Sequence, residues 1–64
     1  MQFFNKNLAK IYKYIYIHDD ETILIKDIIE STGISKPTVH KYIKWLIRRK
    51  LIKKDGKHFS ILPT

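Results

Sequence analysis

Cysteine is absent from this chain, glycine and proline occur twice each, and there is one tryptophan. Without a thiol no disulfide can staple the fold, and a zinc site would need other ligands. The three histidines, His18, His40 and His58, lie far apart and match no metal-ligand spacing. No metal and no cofactor is therefore expected. Apolar residues form no run near the ~18 residues that a membrane span needs. The N-terminus is aromatic and charged, with no small-residue cleavage site. The expectation is a soluble, cytoplasmic protein with no membrane partner. Catalytic material is also lacking. No nucleophile sits near a histidine with an orienting acid, and no carboxylate pair flanks a plausible cleft. Asp19, Asp20 and Glu21 cluster in what reads as a turn. A non-enzymatic protein is expected, with no small-molecule ligand evident.

What is present is isoleucine, lysine and tyrosine. Sixty-four residues make one domain, residues 1–64. A chain of this size buries only about 60% of its unfolded surface and is marginal alone. Its core must come from aliphatic and aromatic side chains, and a second subunit could supplement it. This composition suits a thermophile or a virus with an AT-rich genome. The formal net charge is +7. Residues 1–35 set Lys6, Lys10, Lys13 and Lys26 against five acids, a balance of −1. Residues 36–64 carry nine Lys and Arg against Asp55 alone, a balance of +8. That asymmetry points to a polyanion, either nucleic acid or an anionic membrane surface.

Phe4, Leu8, Ile11, Tyr12 and Ile15 fall at helical spacing, and Asn5 or Asn7 can cap the start. A first helix is expected from about residue 5 to 17. The β-branched "TILI", Thr22 to Ile25, reads as a short strand leading into a second helix over about 25–32. Gly33 suits the left-handed residue that closes it. Ser35 is placed to cap a third helix over about 36–50, with Pro37 in the first turn. Its apolar stripe is Val39, Ile43, Leu46 and Lys50, flanked by Tyr42 and Ile47. The segment "LIKKDGKHFSIL" reads as a hairpin over 51–62 with a two-residue Asp55-Gly56 turn. That turn would set Lys54 opposite Lys57, Lys53 opposite His58 and Ile52 opposite Phe59. Ile52, Phe59 and Ile61 would share the face that covers the helices.

At about 100° per residue, His40, Lys44, Pro37, Arg48 and Lys41 fall opposite Val39, Ile43 and Leu46. No acid lies between Lys36 and Lys54. A solvated helix usually mixes signs to gain i,i+4 pairs, so this face costs stability unless a partner neutralises it. Trp45 falls between the apolar and basic sides. Phe3, Phe4, Tyr12 and Tyr16 make the first helix apolar on more than one side. With Trp45 they are the candidate interface of a homodimer. The other reading is that these aromatics pack around a small core.

The segment "LIKDIIESTGISKPTVHKYIKWLIRRKLIKKDGKHFSIL" resembles a winged helix-turn-helix DNA-binding domain, the type found in small transcriptional regulators. The likeness rests on Ile28 and Ile29, the turn Gly33-Ile34, Ser35, the apolar Val39, Ile43 and Leu46, and Leu51-Ile52 opening a basic wing. It spans residues 22–62. It implies a mostly helical α+β fold of three helices and a C-terminal hairpin wing. It also implies sequence-specific binding of double-stranded DNA by the third helix in the major groove. Ser35, Lys36, Pro37, Thr38, His40, Lys41, Lys44 and Arg48 would then form the DNA-facing surface of that helix. Lys26, Arg49, Lys53, Lys54, Lys57 and His58 would meet backbone phosphate or a minor groove. Thr38 can also be read as a second cap, and His40 as a solvated edge. A homodimer would face a palindromic site. A non-specific architectural binder and a protein-interaction module share the fold and stay as alternatives. One place departs from the family pattern: it often has Gly where this chain has Lys50, which implies a strained backbone or a different connection.

Overall fold

Helix α1, Lys6–Ile17, begins where Asn5 sits in extended backbone at φ −110°. The Asn5 side-chain oxygen accepts the backbone N–H of Asn7 at 2.8 Å and of Leu8 at 3.4 Å. Two of the four amides that a helix start leaves unpaired are thereby satisfied. The helix turns Leu8, Ile11 and Ile15 inward and ends at His18, whose N–H reaches the Tyr14 carbonyl at 3.1 Å. This is a computed structural model, and it describes residues 5–19 and 21–62.

Helix α2, Ile25–Thr32, has Leu24 as its extended N-cap and no side-chain cap. Asp27 in the first turn offsets the positive end of the helix. The expected strand over Thr22–Ile25 contracts to one bridge, Thr22 to His58, beside an Ile23 N–H bond to the Lys57 carbonyl at 2.9 Å. Helix α2 claims Ile25, which leaves too few extended residues for a ladder. Gly33 closes α2 at φ 72°. Thr32 Oγ1 ties the end together: it donates to the Ile28 carbonyl at 2.6 Å and accepts the Ile34 N–H at 3.3 Å.

Helix α3, Lys36–Arg48, stops two residues short of the expected Lys50. Lys50 is in the left-handed region at φ 58°, the sole such non-glycine among the described residues. Its N–H donates to the Ile47 carbonyl at 3.0 Å, and the Leu51 N–H to that of Leu46 at 3.0 Å. These two bonds, with Leu46 and Leu51 both buried, make a Schellman closure. Lys50 therefore does not continue the apolar stripe. Ile47 also departs from expectation, turning outward at 37% exposure. At the other end Ser35 occupies the cap position at φ −64° and ψ 152°, yet its hydroxyl caps no amide. It donates instead to Thr38 Oγ1 at 2.9 Å.

Strands β1, Ile52–Asp55, and β2, His58–Ile61, form an antiparallel hairpin. Its pairs are Ile52 with Ile61, Lys53 with Ser60, Lys54 with Phe59 and Asp55 with His58. The turn is thus Gly56-Lys57, one residue later than expected. Gly56 at φ 63° is its first central residue, and Lys57 does not have positive φ. That combination suits a type II′ turn, which needs glycine at the first central position only. Moving the turn by one residue shifts the pairing by two, so side-chain parity survives. Ile52, Phe59 and Ile61 still share a face, with Ile52 and Phe59 buried and Ile61 half-buried.

Three helices followed by a hairpin make this a winged-helix α+β fold. The helices pack mutually, β1 rests on α3 and β2 on α1. Between them lie Leu8, Ile11, Ile15, Ile23, Ile28, Ile34, Val39, Ile43, Leu46, Leu51, Ile52 and Phe59. Burying one such side chain fully contributes roughly 1.5–3 kcal/mol. No polar or charged side chain among the described residues is buried. The core is thus fully apolar, and every described charge is left to the surface.

Candidate nucleic-acid interface

The inward stripe Val39, Ile43 and Leu46 fixes the rotation of α3, and that rotation decides what faces out. Lys36, Pro37, His40, Lys41, Lys44 and Arg48 are exposed. Thr38 is half-buried and its hydroxyl is engaged with Ser35, which is exposed. Arg49 folds its guanidinium over the Trp45 ring at 4.8 Å, a cation–π contact. The Lys41 ammonium stands 5.9 Å from the Tyr42 ring centre. Tyr42 in turn receives a hydrogen bond from Asn5 Nδ2 on its hydroxyl, which ties α3 to the start of α1.

Among the described residues the only contact between a basic and an acidic side chain at ion-pair distance is His18 with Glu21, Nδ1 to Oε2 at 3.6 Å. No cation of α3 or the hairpin has an acid partner there. Neighbouring charges on this face stand within about a Debye length of one another, so water and salt screen them only in part. The surface is positive, exposed and unneutralised.

The hairpin divides its cations. Lys53, Asp55, His58 and Ser60 share one face by register, and Ile52, Lys54, Phe59 and Ile61 the other. Lys54 reaches back to within 5.9 Å of the Phe59 ring centre. Lys57 lies in the turn, its carbonyl taken by Ile23. His58 Nε2 is 3.2 Å from Thr22 Oγ1. The four basic residues of the wing are all exposed but do not form one surface. Lys26 is exposed in the first turn of α2 beside Asp27.

The aromatic set is also divided. Tyr16 is 63% exposed and Trp45 36%, whereas Tyr12 is half-buried against the core. Phe3 and Phe4 lie outside the described residues. Exposed Ile17, at 61%, escaped the sequence reading, as did the Asp19 carboxylate, which accepts the Ile61 N–H at 3.0 Å. Ile17 is the last helical residue, where periodicity gives least warning. Asp19 was legible only as part of a turn.

No helix among the described residues is long and apolar enough to cross a membrane. No curated protein and no solved structure gives a significant match to the chain. Residues 5–53 match the profile of a family described as Winged helix-turn-helix DNA-binding, whose domains are typically non-enzymatic. The match runs from the cap of α1 to the second residue of β1, and the hairpin that follows supplies the wing. Three helices in the matching order, the hairpin behind them and a cationic third helix agree with it, and the chain belongs to the winged helix-turn-helix DNA-binding family, a domain that binds double-stranded DNA.

Proposed function

We propose that this protein is a small transcriptional regulator that reads a specific duplex sequence with α3 in the major groove. The observation that carries the reading is the outward face of α3: His40, Lys41, Lys44 and Arg48 exposed, with no acid partner among the described residues. A helix of this width fits the major groove, and its N-terminal half is the part that reaches base edges. Ser35, Lys36, Pro37 and Thr38 belong to that half. Lys41 and Lys44 can donate to guanine acceptors, and Pro37 can touch a thymine methyl. Arg48, Arg49, Lys26 and the wing residues Lys53, Lys54, Lys57 and His58 serve the phosphates, where charge matters more than register.

Selection of bound sequences from a random duplex pool tests the reading. A consensus of defined length is expected. An unenriched pool, with binding that still falls steeply with salt, would leave an architectural binder instead. A homodimer is the second proposal, supported by the exposure of Tyr16 and Trp45. Phe3, Phe4 and Tyr12 complete its interface in this reading. A palindromic consensus with half-sites ~34 Å apart would accompany it, and sedimentation at rising concentration measures the association.

A further inference from the structure

Helix α1 carries a second cationic face. At about 100° per residue, Lys6, Lys10 and Lys13 fall within roughly 60° of one another, opposite Leu8, Ile11 and Ile15. All three are exposed, α1 contains no acid, and none of the three is ion-paired among the described residues. Lys6 also stands in the first turn, where the helix end is already positive and no acid offsets it. Lys6–Lys10 and Lys10–Lys13 are like-charge neighbours at i,i+4 and i,i+3, which a free helix disfavours. Beside this stripe a depression of about 280 Å³ opens between α1 and α2, lined by Lys10, Lys13, Tyr14, Ile17, Ser31 and Thr32. Its cations lie on the α1 side. On the α2 side Ser31 adds a hydroxyl, whereas Thr32 Oγ1 is already used at the end of α2. Ile17 and Tyr14 give it an apolar wall that a deoxyribose can rest against.

We propose that this stripe and the depression beside it seat the sugar-phosphate backbone of a second DNA duplex, so that one chain links two duplexes. The inference rests on the reading of α3 as the helix that holds the first. Both helices turn their apolar stripes to one core, so their lysine faces look out in diverging directions. The domain measures 26 × 26 × 18 Å, about the width of a duplex, so one duplex does not cover every side of it. The stripe starts near α3, where Asn5 bonds Tyr42, and Lys10 and Lys13 lie about one and two turns further along α1. An anionic membrane is the poorer partner. A helix that lies in a membrane interface buries its apolar face in lipid, and that of α1 is spent in the core.

The test immobilises a short duplex, loads it with protein at low salt, and offers a second, fluorescent duplex. The wild-type chain is expected to capture it. Lys6→Ala/Lys10→Ala/Lys13→Ala is expected to lose capture on the order of tenfold, with affinity for a single duplex changed by less than about threefold. Its melting temperature should be equal or higher, because the substitutions remove like-charge neighbours and favour helix. Full capture by this variant would assign bridging to self-association and overturn the site. Equal losses of capture and of single-duplex affinity would place the stripe on the first duplex and overturn it as well. So would capture of phosphatidylserine vesicles in place of the second duplex. Lys41→Ala/Lys44→Ala, run in parallel, keeps the two readings separate. Unchanged binding of the first duplex by that variant sinks the α3 assignment and leaves the α1 result standing.

Discussion

Helices α2 and α3 both end on a left-handed residue, Gly33 at φ 72° in one and Lys50 at φ 58° in the other. The backbone task is the same and the chemistry differs. Glycine adopts this region without penalty, whereas a residue with a Cβ costs roughly 1–2 kcal/mol there. The α2 end is closed by one backbone bond, Gly33 N–H to the Ile29 carbonyl at 2.8 Å, by a Thr32 hydroxyl and by half-buried Ile29. The α3 end is closed by two backbone bonds and by Leu46 and Leu51, both buried. Packing thus holds Lys50 in a shape its side chain opposes. It keeps a positive charge at the junction between the basic helix and the wing, where glycine would be more stable and neutral.

The largest test of this contrast is its packing. Leu46→Ala should destabilise the domain by about 2–5 kcal/mol, as for a fully buried leucine. Ile29→Ala at the other helix end should cost roughly half of that or less, since Ile29 is half-buried. Urea midpoints at matched slopes measure both, and equal losses would break the contrast. Next in size is Gly33→Ala. A Cβ there meets nothing within 4 Å, so the expected loss of about 1 kcal/mol is purely conformational. A melting temperature lower by roughly 4–8 °C is the readout. A drop well beyond that range would mean that α2 is distorted rather than strained. The opposite sign is expected at the other end. Lys50→Gly should raise stability by about 0.5–1 kcal/mol, the left-handed penalty less the added freedom of the unfolded chain. Absence of any gain would show that the Schellman closure relieves Lys50 entirely. The smallest effect is on binding. If the Lys50 charge serves DNA, Lys50→Gly lowers the slope of log affinity against log salt by about 0.9, one phosphate's share. An unchanged slope removes Lys50 from the interface.

Most of the fold was legible because its signals are local. Asn5, Gly33 and Pro37 announce helix ends through their own backbone chemistry, and the spacing of Leu8, Ile11, Ile15, Val39, Ile43 and Leu46 gives both core stripes. The hairpin register was not legible in the same way. Asp55-Gly56 and Gly56-Lys57 both place glycine where positive φ is needed, and the choice between them depends on pairing to distant Thr22 and Ile23. The end of α3 failed for a related reason. Lys50 continues the spacing of the stripe, and only the family pattern, which often has Gly there, pointed to the strained backbone it adopts at φ 58°, with the Leu51 N–H turned back to the Leu46 carbonyl. The cationic side of α3 followed once the stripe was known, but the division of the wing lysines needed the register. Ser35 kept its cap position and gave its hydroxyl to Thr38, a competition between two short polar side chains that spacing does not resolve.

The wing is tied to the α1–α2 connection by Ile61 N–H to Asp19, by Thr22 to His58 and by Ile23 N–H to the Lys57 carbonyl. Asp19 and Ile61 are 42 positions apart, and Thr22 and His58 are 36 apart. Contacts of that span are the costly ones in folding, since a long loop must close before they return anything. The helices can assemble from neighbours in sequence, and the hairpin docks once the α1–α2 connection is in place. Residues of the α1–α2 connection and of the hairpin thus meet across most of two helices, which makes docking of the wing a late step that reports on helices already in place.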